Sequence, residues 1–382
     1  MLSYSPSDFN VNPLMFYYEV TQACDLVCKH CRASAQEKPA DDELATGLSL
    51  RLIEQAASFP RKPHICFTGG DPLKRTDIFT LIQHAAHQGL SVALTPSATP
   101  LATRQALEKA KEAGVQAFGI SLDAPSAEVH DAFRGFAGSF AKTREMIETA
   151  KELQVPVQVN TSITRRNFHL IDALAEYLEV CCGEGGGVMM WSVFFLIPVG
   201  RGLEEERIMP QEYETAFAKL WHHAQTKPFA VKTTEAPHYR RFVLRQGGNP
   251  LDVPRPFRSA KDGGIENGFS PFQRVRSRAP LGITDGRGVI FVSHNGKIYP
   301  AGFLPVVCGQ FPQDSVVDVY QRHPVFMALQ NPDNYQGRCG QCEYRYVCGG
   351  SRSRAFAVTG DYLESEPDCV YETGQDNVYL GG

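Results

Sequence analysis

Six short runs of β-branched and aromatic residues alternate with amphipathic segments over the first 200 residues of this 382-residue chain. The strand-like runs are Phe16–Val20, Ile65–Thr68, Val92–Thr95, Ala117–Ser121, Val157–Thr161 and Met190–Leu196. The amphipathic segments are Leu48–Ser58, Asp77–Gln88, Thr103–Ala113, Ser139–Leu153 and Leu170–Leu178. Because strands joined by helices of this length pair in parallel, we predict an α/β fold, either a partial or complete barrel or an open doubly wound sheet.

The pattern weakens after residue 200. Three elements are predicted next: a helix at Pro210–Ala224, a short strand at Phe229–Lys232 and a helical stretch from about Glu235. Residues 246–288 are rich in Gly, Pro and Arg and carry little periodicity, so we interpret them as a long loop. Val289–Ser293 and Lys297–Pro300 flank an Asn-Gly pair that favours a tight turn, which predicts a hairpin.

The bulk composition argues against several classes of protein. The net charge is −4 and the pI is near 6.3, so we expect neither general nucleic-acid binding nor binding to a membrane surface. The N-terminus lacks the positive start and apolar run of a secretion signal. The longest apolar stretch, Val188–Val199, is shorter than the ~20 residues that a membrane-spanning helix needs. We therefore expect a cytoplasmic protein.

Most of the eleven cysteines fall into two groups, which in a cytosolic chain favours metal or redox chemistry over disulfides. Cys24, Cys28 and Cys31 have the spacing CxxxCxxC and follow the first strand, where a parallel α/β protein presents its active site. Three thiolates leave one position of a metal centre open for substrate or cofactor. A zinc knuckle is the structural alternative, since zinc also binds closely spaced cysteines.

This motif resembles the signature of the radical S-adenosylmethionine (SAM) superfamily, which is CxxxCxxC after the first strand of a partial (β/α)6 barrel of TIM type. The resemblance implies a [4Fe–4S] cluster held by Cys24, Cys28 and Cys31, with SAM chelating the fourth iron. It also implies reductive cleavage of SAM to methionine and a 5′-deoxyadenosyl radical that abstracts a substrate hydrogen. The electron would come from a reductant such as flavodoxin or ferredoxin.

Further residues match the family in the expected order. Gly69, Gly70 and Asp71 follow the second strand and resemble the GGE-type motif for the SAM amino group, although they also suit a plain strand-to-helix turn. His30 precedes the third cysteine, where the family usually has an aromatic residue near the adenine. Ser97 follows the third strand, where many relatives carry an Asn-Gly pair, so the match there is weak.

The match continues at the fourth and fifth strands. Ser121 and Asp123 lie at the end of the fourth strand in GISLDAP, and Arg134 follows in HDAFRG. The resemblance implies that the serine and arginine positions bind the SAM carboxylate, a role that suits guanidinium geometry. A surface salt bridge is the alternative for Arg134. Asn160 ends the fifth strand, where it would contact the ribose or cap the strand.

The second cysteine group comprises Cys339, Cys342, Cys348 and Cys369. Four thiolates can close a metal centre, and the spacing resembles that of SPASM and twitch domains, which extend radical SAM enzymes with auxiliary clusters. Two-cluster members carry further cysteines that are absent here, so the resemblance implies one auxiliary [4Fe–4S] cluster. A four-cysteine zinc site is the alternative. Cys308 is either an unorthodox extra ligand or, as we interpret it, a buried or free thiol.

The resemblance covers nearly the whole chain and divides it into four parts. These are an N-terminal extension (1–14), the radical SAM partial barrel (15–230), a helix and loop linker (231–288) and a SPASM/twitch-like auxiliary-cluster domain (289–382). The last part is short, so we expect metal rather than a large hydrophobic core to organise it.

Three residues near the predicted mouth of the barrel are candidates for catalysis. Glu235, His238 and Arg240 lie in the segment KTTEAPHYRRF. Together an acid, an imidazole and a guanidinium can orient a carboxylate-bearing substrate or move protons. The exposed start of an amphipathic helix is the alternative interpretation.

The segments EVTQACDLVCKHCRA, VNTSITRRN and CEYRYVCGGSRSRA resemble most the tetrapyrrole-modifying enzymes of alternative haem and haem d1 biosynthesis and neighbouring unassigned proteins. We therefore predict oxidative radical chemistry on a small or medium carboxylate-bearing molecule, for example on a porphyrin propionate. Modification of a ribosomal peptide is the alternative, although the 15 residues before the first strand leave no room for an N-terminal peptide-recognition domain. An iron–sulfur electron carrier is the alternative from another class, but it has no need of the GGD, SLD and HDAFRG elements.

Overall fold

Six strands alternate with helices in a computed structural model that describes residues 5–182, 187–261, 264–276 and 281–374. The strands are β1 Met15–Thr21, β2 His64–Gly69, β3 Ser91–Leu94, β4 Val115–Ser121, β5 Val157–Ile163 and β6 Val188–Phe195. The helices are α1 Thr46–Ala57, α2 Ile78–His87, α3 Arg104–Ala113, α4 Ala127–Arg134, α5 Ser139–Glu152 and α6 Ile171–Cys182. The predicted strands and helices are confirmed. Only α4 lies outside the prediction, because its eight residues are too few to show periodicity.

The second half of the chain contains shorter elements. Its strands are β7 Ala230–Thr234, β8 Asp252–Lys261, β9 Gly264–Arg276, β10 Val289–Val292, β11 Lys297–Tyr299 and β12 Gly309–Gln310. Its helices are α7 Pro210–Thr226, α8 His238–Arg245, α9 Val316–Arg322, α10 Pro324–Gln330, α11 Gly337–Gln341 and α12 Arg352–Thr359. The long loop predicted at 246–288 is wrong, since β8 and β9 pair there as an antiparallel hairpin. The hydrogen bonds between paired strands join backbone groups, so a two-stranded ribbon can form without alternating hydrophobic residues in its sequence.

Within the described residues, ten strands form one sheet in the order β12-β11-β10-β1-β2-β3-β4-β5-β6-β7. Neighbours from β10 to β7 pair in parallel, whereas β11 and β12 are antiparallel to their neighbours. The predicted hairpin of β10 and β11 is confirmed, and it extends the barrel sheet beside β1. β10 covers the edge of β1 that would otherwise expose unpaired backbone groups. The division of the chain into four parts stays a prediction.

The two faces of the sheet differ in chemistry. The side chains that point towards the helices form the main hydrophobic core, and in β1 these are the buried Phe16, Tyr18 and Val20. Burial of a large aliphatic or phenylalanine side chain contributes about 1.5–3 kcal/mol. The alternate residues face the interior of the barrel, which we call the lumen. There Tyr17 of β1 lies near Glu235, which follows β7, so the sheet curves to bring distant strands together.

A buried polar network packs the C-terminal end of the chain against the barrel. The guanidinium of Arg354 is fully buried and pairs with Glu366 at 3.1 Å and with Asp368 at 3.0 Å. It also lies 5.1 Å from the centre of the Tyr213 ring on α7. Because an unpaired buried charge is costly, these pairs determine how the cysteine-rich end contacts the barrel.

The longest helix in the described part of the chain is α7, with 17 residues. None of the described helices is long and apolar enough to span a membrane.

Candidate active site

The first cysteine group lies on a single loop, residues 22–36, which follows β1 and which we call the three-cysteine loop. Arg201 follows β6 in the chain and holds the three-cysteine loop in place by two hydrogen bonds. Its Nε donates to the Cys28 carbonyl at 2.9 Å and its Nη1 donates to the Ala35 carbonyl at 2.7 Å. Our sequence reading missed Arg201. Its position after the carboxyl end of a predicted parallel strand could have indicated a role, because functional residues often lie there.

The HDAFRG sequence forms the end of α4 and packs on the three-cysteine loop. Arg134 Nη1 lies 3.8 Å from Cys28 Sγ, and the rings of His30 and Phe133 stack with their centres 4.4 Å apart. Gly135 ends the helix at φ 64°, and a Cβ there would lie 2.9 Å from a carbonyl oxygen of the loop. A short helix therefore supports the loop at three points. The placement of His30 near the adenine stays a prediction.

The glycine pair after β2 lets two backbones approach each other closely. A Cβ on Gly69, at φ 146°, would lie 2.3 Å from the Thr21 carbonyl oxygen. A Cβ on Gly70 would lie 2.4 Å from the Ala23 carbonyl oxygen. Both contacts are with the chain that leads into the three-cysteine loop, so glycine is required here to seat that loop. Contact of these residues with SAM stays a prediction.

Asp71 forms the centre of a hydrogen-bond network beside the first cysteine. Its buried carboxylate accepts hydrogen bonds from Thr99 Oγ1 at 2.7 Å and from the Ser97 N–H at 3.2 Å. Burial raises the pKa of Asp71, and these donors oppose that change. Ser97 Oγ donates to the Gly70 carbonyl at 2.8 Å and lies 3.6 Å from Cys24 Sγ. Ser97, whose match to the family pattern is weak, therefore lies beside a predicted cluster ligand.

Arg134 already has a carboxylate partner. Its Nη2 lies 2.5 Å from Asp123 Oδ2, and the other oxygen of Asp123 accepts from the Ser162 N–H at 2.8 Å. Arg134 Nε is buried and has no hydrogen-bond partner among the described residues. An unfilled guanidinium donor beside Cys28 suits the carboxylate of a bound ligand. Asp123 orients Arg134, and binding of the SAM carboxylate by Arg134 stays a prediction.

Ser121 and Asn160 are paired in register on β4 and β5. Their strand neighbours Ile120 and Val159 lie in the hydrophobic core, so by alternation both polar residues face the lumen. Asn160 Oδ1 accepts a hydrogen bond from Gln158 at 2.8 Å. These positions suit contact with a ligand above the sheet, and their contact with SAM stays a prediction.

The sulfur atoms of the first group receive polar hydrogens from the protein. The Leu26 N–H lies 3.3 Å from Cys24 Sγ, and the Ala35 N–H lies 3.4 Å from Cys31 Sγ. Such donors, with Arg134 beside Cys28, stabilise sulfur that carries negative charge. Burial raises the pKa of Cys24 to about 11, so loading a cluster must displace a proton there. The donor set fits a [4Fe–4S] cluster, which when bound supplies the electron that cleaves SAM.

The second cysteine group lines one cavity, which contains Cys339, Cys342, Cys348 and Cys369. Three of the sulfur atoms accept backbone N–H groups, from Glu366 to Cys339 at 3.2 Å, from Tyr344 to Cys342 at 3.4 Å and from Gly350 to Cys348 at 3.4 Å. Arg352 Nη2 lies 3.5 Å from Cys339 Sγ. Four cysteines that line one cavity, three of them with backbone N–H donors to sulfur, have the donor chemistry of an auxiliary cluster site.

Cys308 does not belong to this cavity. It is buried in the main hydrophobic core, and its sulfur donates to the Val306 carbonyl at 3.5 Å. Burial raises the pKa of its thiol to about 12, so it stays protonated. The interpretation of Cys308 as a buried thiol agrees with this position.

The three predicted catalytic residues lie between the barrel and the cysteine-rich end. Arg240 donates to the carbonyls of Val347 at 3.1 Å and Ile283 at 2.9 Å, and Ser351 Oγ donates to Glu235 at 2.5 Å. His238 is fully buried and lines the cavity of the second cysteine group. None of the three lies at an exposed helix start. Their contacts join the two parts of the chain, and a catalytic role for them stays a prediction.

Glu235 lies near the carboxyl of Asp285, a residue that the sequence analysis did not single out. Burial, and next the Asp285 carboxyl, raise the pKa of Glu235 well above its ordinary value. The pKa of Asp285 is also raised by burial, while the Ser353 N–H donates to Asp285 at 2.8 Å. Glu235 has a positive φ of 58°, which costs a residue other than glycine about 1–3 kcal/mol. Burial therefore favours the protonated form of both carboxyls.

We expect Glu235→Gln to flatten the dependence of stability on pH. Because the folded carboxyl has the raised pKa, the native state binds more protons, and stability falls as pH rises from the ordinary carboxyl pKa towards the raised value. The slope is at most about 1.4 kcal/mol per pH unit for one proton. Thermal unfolding of the anaerobic holoprotein, followed by circular dichroism from about pH 6 to 9, measures it. The exposed Glu112→Gln on α3 is the control, and an unchanged slope in Glu235→Gln would contradict the assignment.

A cavity of about 660 Å³ opens between the three-cysteine loop and the β10–β11 hairpin. Its walls include the aromatic side chains of Phe291, Tyr299 and Phe303. The guanidinium of Arg32, which follows the third cysteine, lies 4.6 Å from the centre of the Phe291 ring and pairs with Glu19 at 2.6 Å. The cavity therefore combines flat apolar surfaces with a cation next to the cluster-binding loop.

Comparison with known proteins defines the class of this barrel and its cysteine loop. The profile of the radical SAM superfamily matches residues 18–178, which contain the three cysteines and the strands from β1 to β5. The AdoMet-dependent heme synthase of Methanosarcina barkeri is 35% identical over 363 residues, which cover 95% of this chain and 98% of the relative. The chain belongs to the radical SAM superfamily.

Other relatives extend the comparison. The AdoMet-dependent heme synthase of Oleidesulfovibrio alaskensis is 36% identical over 93% of this chain and 86% of its own length. The PqqA peptide cyclase of Rhodopseudomonas palustris is 24% identical over 96% of this chain and 89% of its own length. The crystal structure of Streptococcus suis SuiB bound to S-adenosylmethionine has a TM-score of 0.68 at 13% identity, over 94% of this chain and 78% of that chain, which shows a shared fold.

These findings confirm the predicted family, fold class and cofactors. The protein is a radical SAM enzyme that uses SAM, a [4Fe–4S] cluster and an auxiliary cluster of the SPASM type. The zinc knuckle and the electron carrier without SAM chemistry are thereby set aside. The residues of this chain hold the cluster ligands in place, orient Arg134 and surround the reaction with the barrel wall.

Proposed function

We propose that the radical formed from SAM abstracts a hydrogen atom from a propionate side chain of a tetrapyrrole. The single observation that carries this proposal is the 35–36% identity to two AdoMet-dependent heme synthases over more than nine-tenths of the chain. The PqqA peptide cyclase covers as much of the chain at only 24% identity. Sequence similarity over the whole chain, including the second cysteine group, therefore favours a tetrapyrrole over a peptide.

The large cavity supports a flat and anionic substrate. Its volume of about 660 Å³ lies within the usual range of about 300–1,000 Å³ for small-molecule sites. Phe291, Tyr299 and Phe303 present rings on which a macrocycle can stack. Arg32 provides a charge that attracts carboxylates at the same place. The Glu19 carboxylate partly neutralises Arg32, so the apolar surface is the main contribution of this cavity.

The test uses reconstituted enzyme under anaerobic conditions with dithionite, SAM and a porphyrin that carries deuterated propionates. We expect deuterium in the 5′-deoxyadenosine, because the radical takes the hydrogen atom directly from the propionate. The measurement is mass spectrometry of the nucleoside, and a porphyrin with unlabelled propionates is the control. If 5′-deoxyadenosine forms but contains no deuterium, hydrogen abstraction from this side chain is contradicted.

A further inference from the structure

We infer that Lys232 binds a carboxylate of the substrate inside the barrel. This inference rests on the proposed function and deepens it, since it assigns a residue to the anionic group of the tetrapyrrole. The observations that carry it are the direction of the side chain, its surroundings and its place beside the large cavity.

Alternation along β7 places Lys232 in the lumen. Val231 packs against the hydrophobic core, as does Trp191, its register partner on β6. Lys232 is paired in register with Ser192, so both face the opposite side of the sheet. Within β7 Lys232 is the exposed residue. A side chain that is accessible yet faces the inside of a barrel must project into an open interior.

The charged or titratable groups that act on Lys232 are a second cation, Arg240, and the thiol of Cys66. Partial desolvation by the surrounding barrel, and next the charge of Arg240, lower the pKa of its accessible ammonium, while Cys66 on the distant strand β2 has the opposite effect. Among the described residues Lys232 has no ion pair. Arg240 itself donates only to carbonyl groups in the contacts described above. Glu235 accepts a hydrogen bond from Ser351 Oγ at 2.5 Å and forms no ion pair with either cation among the described residues.

Several buried cations in this chain have carboxylate partners, whereas the buried Arg287 and Arg352 donate to carbonyl groups. The pairs are Arg134 with Asp123, Arg354 with Glu366, Arg241 with Glu214, and Lys227 with Glu176 and Glu179. An accessible ammonium that faces the inside of a barrel, with no ion pair among the described residues, can bind an anion that enters from outside. A carboxylate fits a single flexible ammonium group well.

The large cavity lies close to the part of the barrel wall that β6 and β7 form. Phe303, which lines the cavity, lies 6.2 Å from Phe194 of β6, measured between ring centres. Phe194 is paired in register with Thr234, two residues beyond Lys232 on the same face of β7. A macrocycle stacked in the cavity would therefore extend a carboxylate side chain along the β6–β7 wall towards Lys232.

The test measures porphyrin binding to anaerobic holoprotein with SAM bound, by titration of the visible absorption band. The probes are a porphyrin with free propionates and its methyl ester. We expect Lys232→Met to weaken binding of the free acid about 10- to 100-fold, the usual effect of losing one charge-assisted hydrogen bond. Binding of the ester should change little, and Lys232→Arg should restore most of the affinity for the acid.

Controls separate charge from folding. Lys219→Met removes a lysine on the outer surface of α7 and should bind both probes as the wild type does. Iron content and the slow cleavage of SAM without substrate should be the same in all the variants. Equal affinity of wild type and Lys232→Met for the free acid would overturn the inference alone. Failure of the wild type to bind either probe would overturn the proposed function and this inference with it.

Discussion

Cys28→Ala is expected to abolish cleavage of SAM, with a loss of more than about 100-fold, since even changes outside the ligand set lower metal affinity about 10–100-fold. Only three thiolates hold the first cluster, and Cys28 is the one that Arg134 approaches at 3.8 Å. The Arg201 contact to its backbone carbonyl would remain, so the loop should keep its shape. The measurement is chromatographic detection of 5′-deoxyadenosine after anaerobic reconstitution and reduction with dithionite.

The control for this variant is Cys181→Ala. Cys181 lies on α6, where it is partly buried against the main core and far in sequence from both cysteine groups. This variant should retain wild-type cleavage, which shows that loss of a cysteine as such is not the cause. Sustained formation of 5′-deoxyadenosine by Cys28→Ala would contradict the assignment of the first cluster.

Cys342→Ala is expected to block turnover of substrate while leaving part of the uncoupled SAM cleavage intact. The second cavity loses one of four sulfur ligands, and the iron content should fall from about eight to about four atoms per chain. The C-terminal end of the chain should also unfold at lower temperature, because its short helices depend on that centre as well as on the Arg354 network. Iron analysis, calorimetry and product formation measure the three effects.

Cys308→Ala is the matched control for the second cluster, because it removes a buried cysteine that does not line the cavity. It should keep about eight irons, with a modest loss of stability from the lost packing. The two clusters would not be separable as described if Cys28→Ala and Cys342→Ala lost SAM cleavage to the same extent.

Much of the barrel is predictable from the sequence, because its strands alternate with amphipathic helices of ordinary length. Thr103 and Gly114 illustrate how local such signals are. Thr103 caps α3 by accepting a hydrogen bond from the Ala106 N–H at 3.2 Å, and Gly114 ends that helix at φ 118°. The hairpin of β8 and β9 shows the limit, since backbone pairing alone leaves no hydrophobic pattern to read.

The candidate site is predictable only in part. Three cysteines within eight residues must lie together, whatever the rest of the fold does. By contrast, Glu235 and Asp285 are far apart in the chain, and neither their proximity nor the contact of Glu235 with Ser351 has a sequence signature. Arg201 and Lys232 are likewise ordinary surface-type residues until the fold is known. A long-range contact of this kind depends on packing, which no local pattern specifies.

The sequence by itself determined that three thiols lie together on one loop, since covalent geometry over a few residues sets their spacing, and the resemblance of that motif to the radical SAM signature implied the cluster. It also determined the alternation of strands and helices that places this loop at the end of a parallel sheet. Only the tertiary structure decided that α4 and Arg201 hold the loop, that the β10–β11 hairpin belongs to the barrel, and that Lys232 faces an open interior. The reason is that curvature of the sheet brings together residues from distant strands, and that curvature arises from the packing of the whole chain.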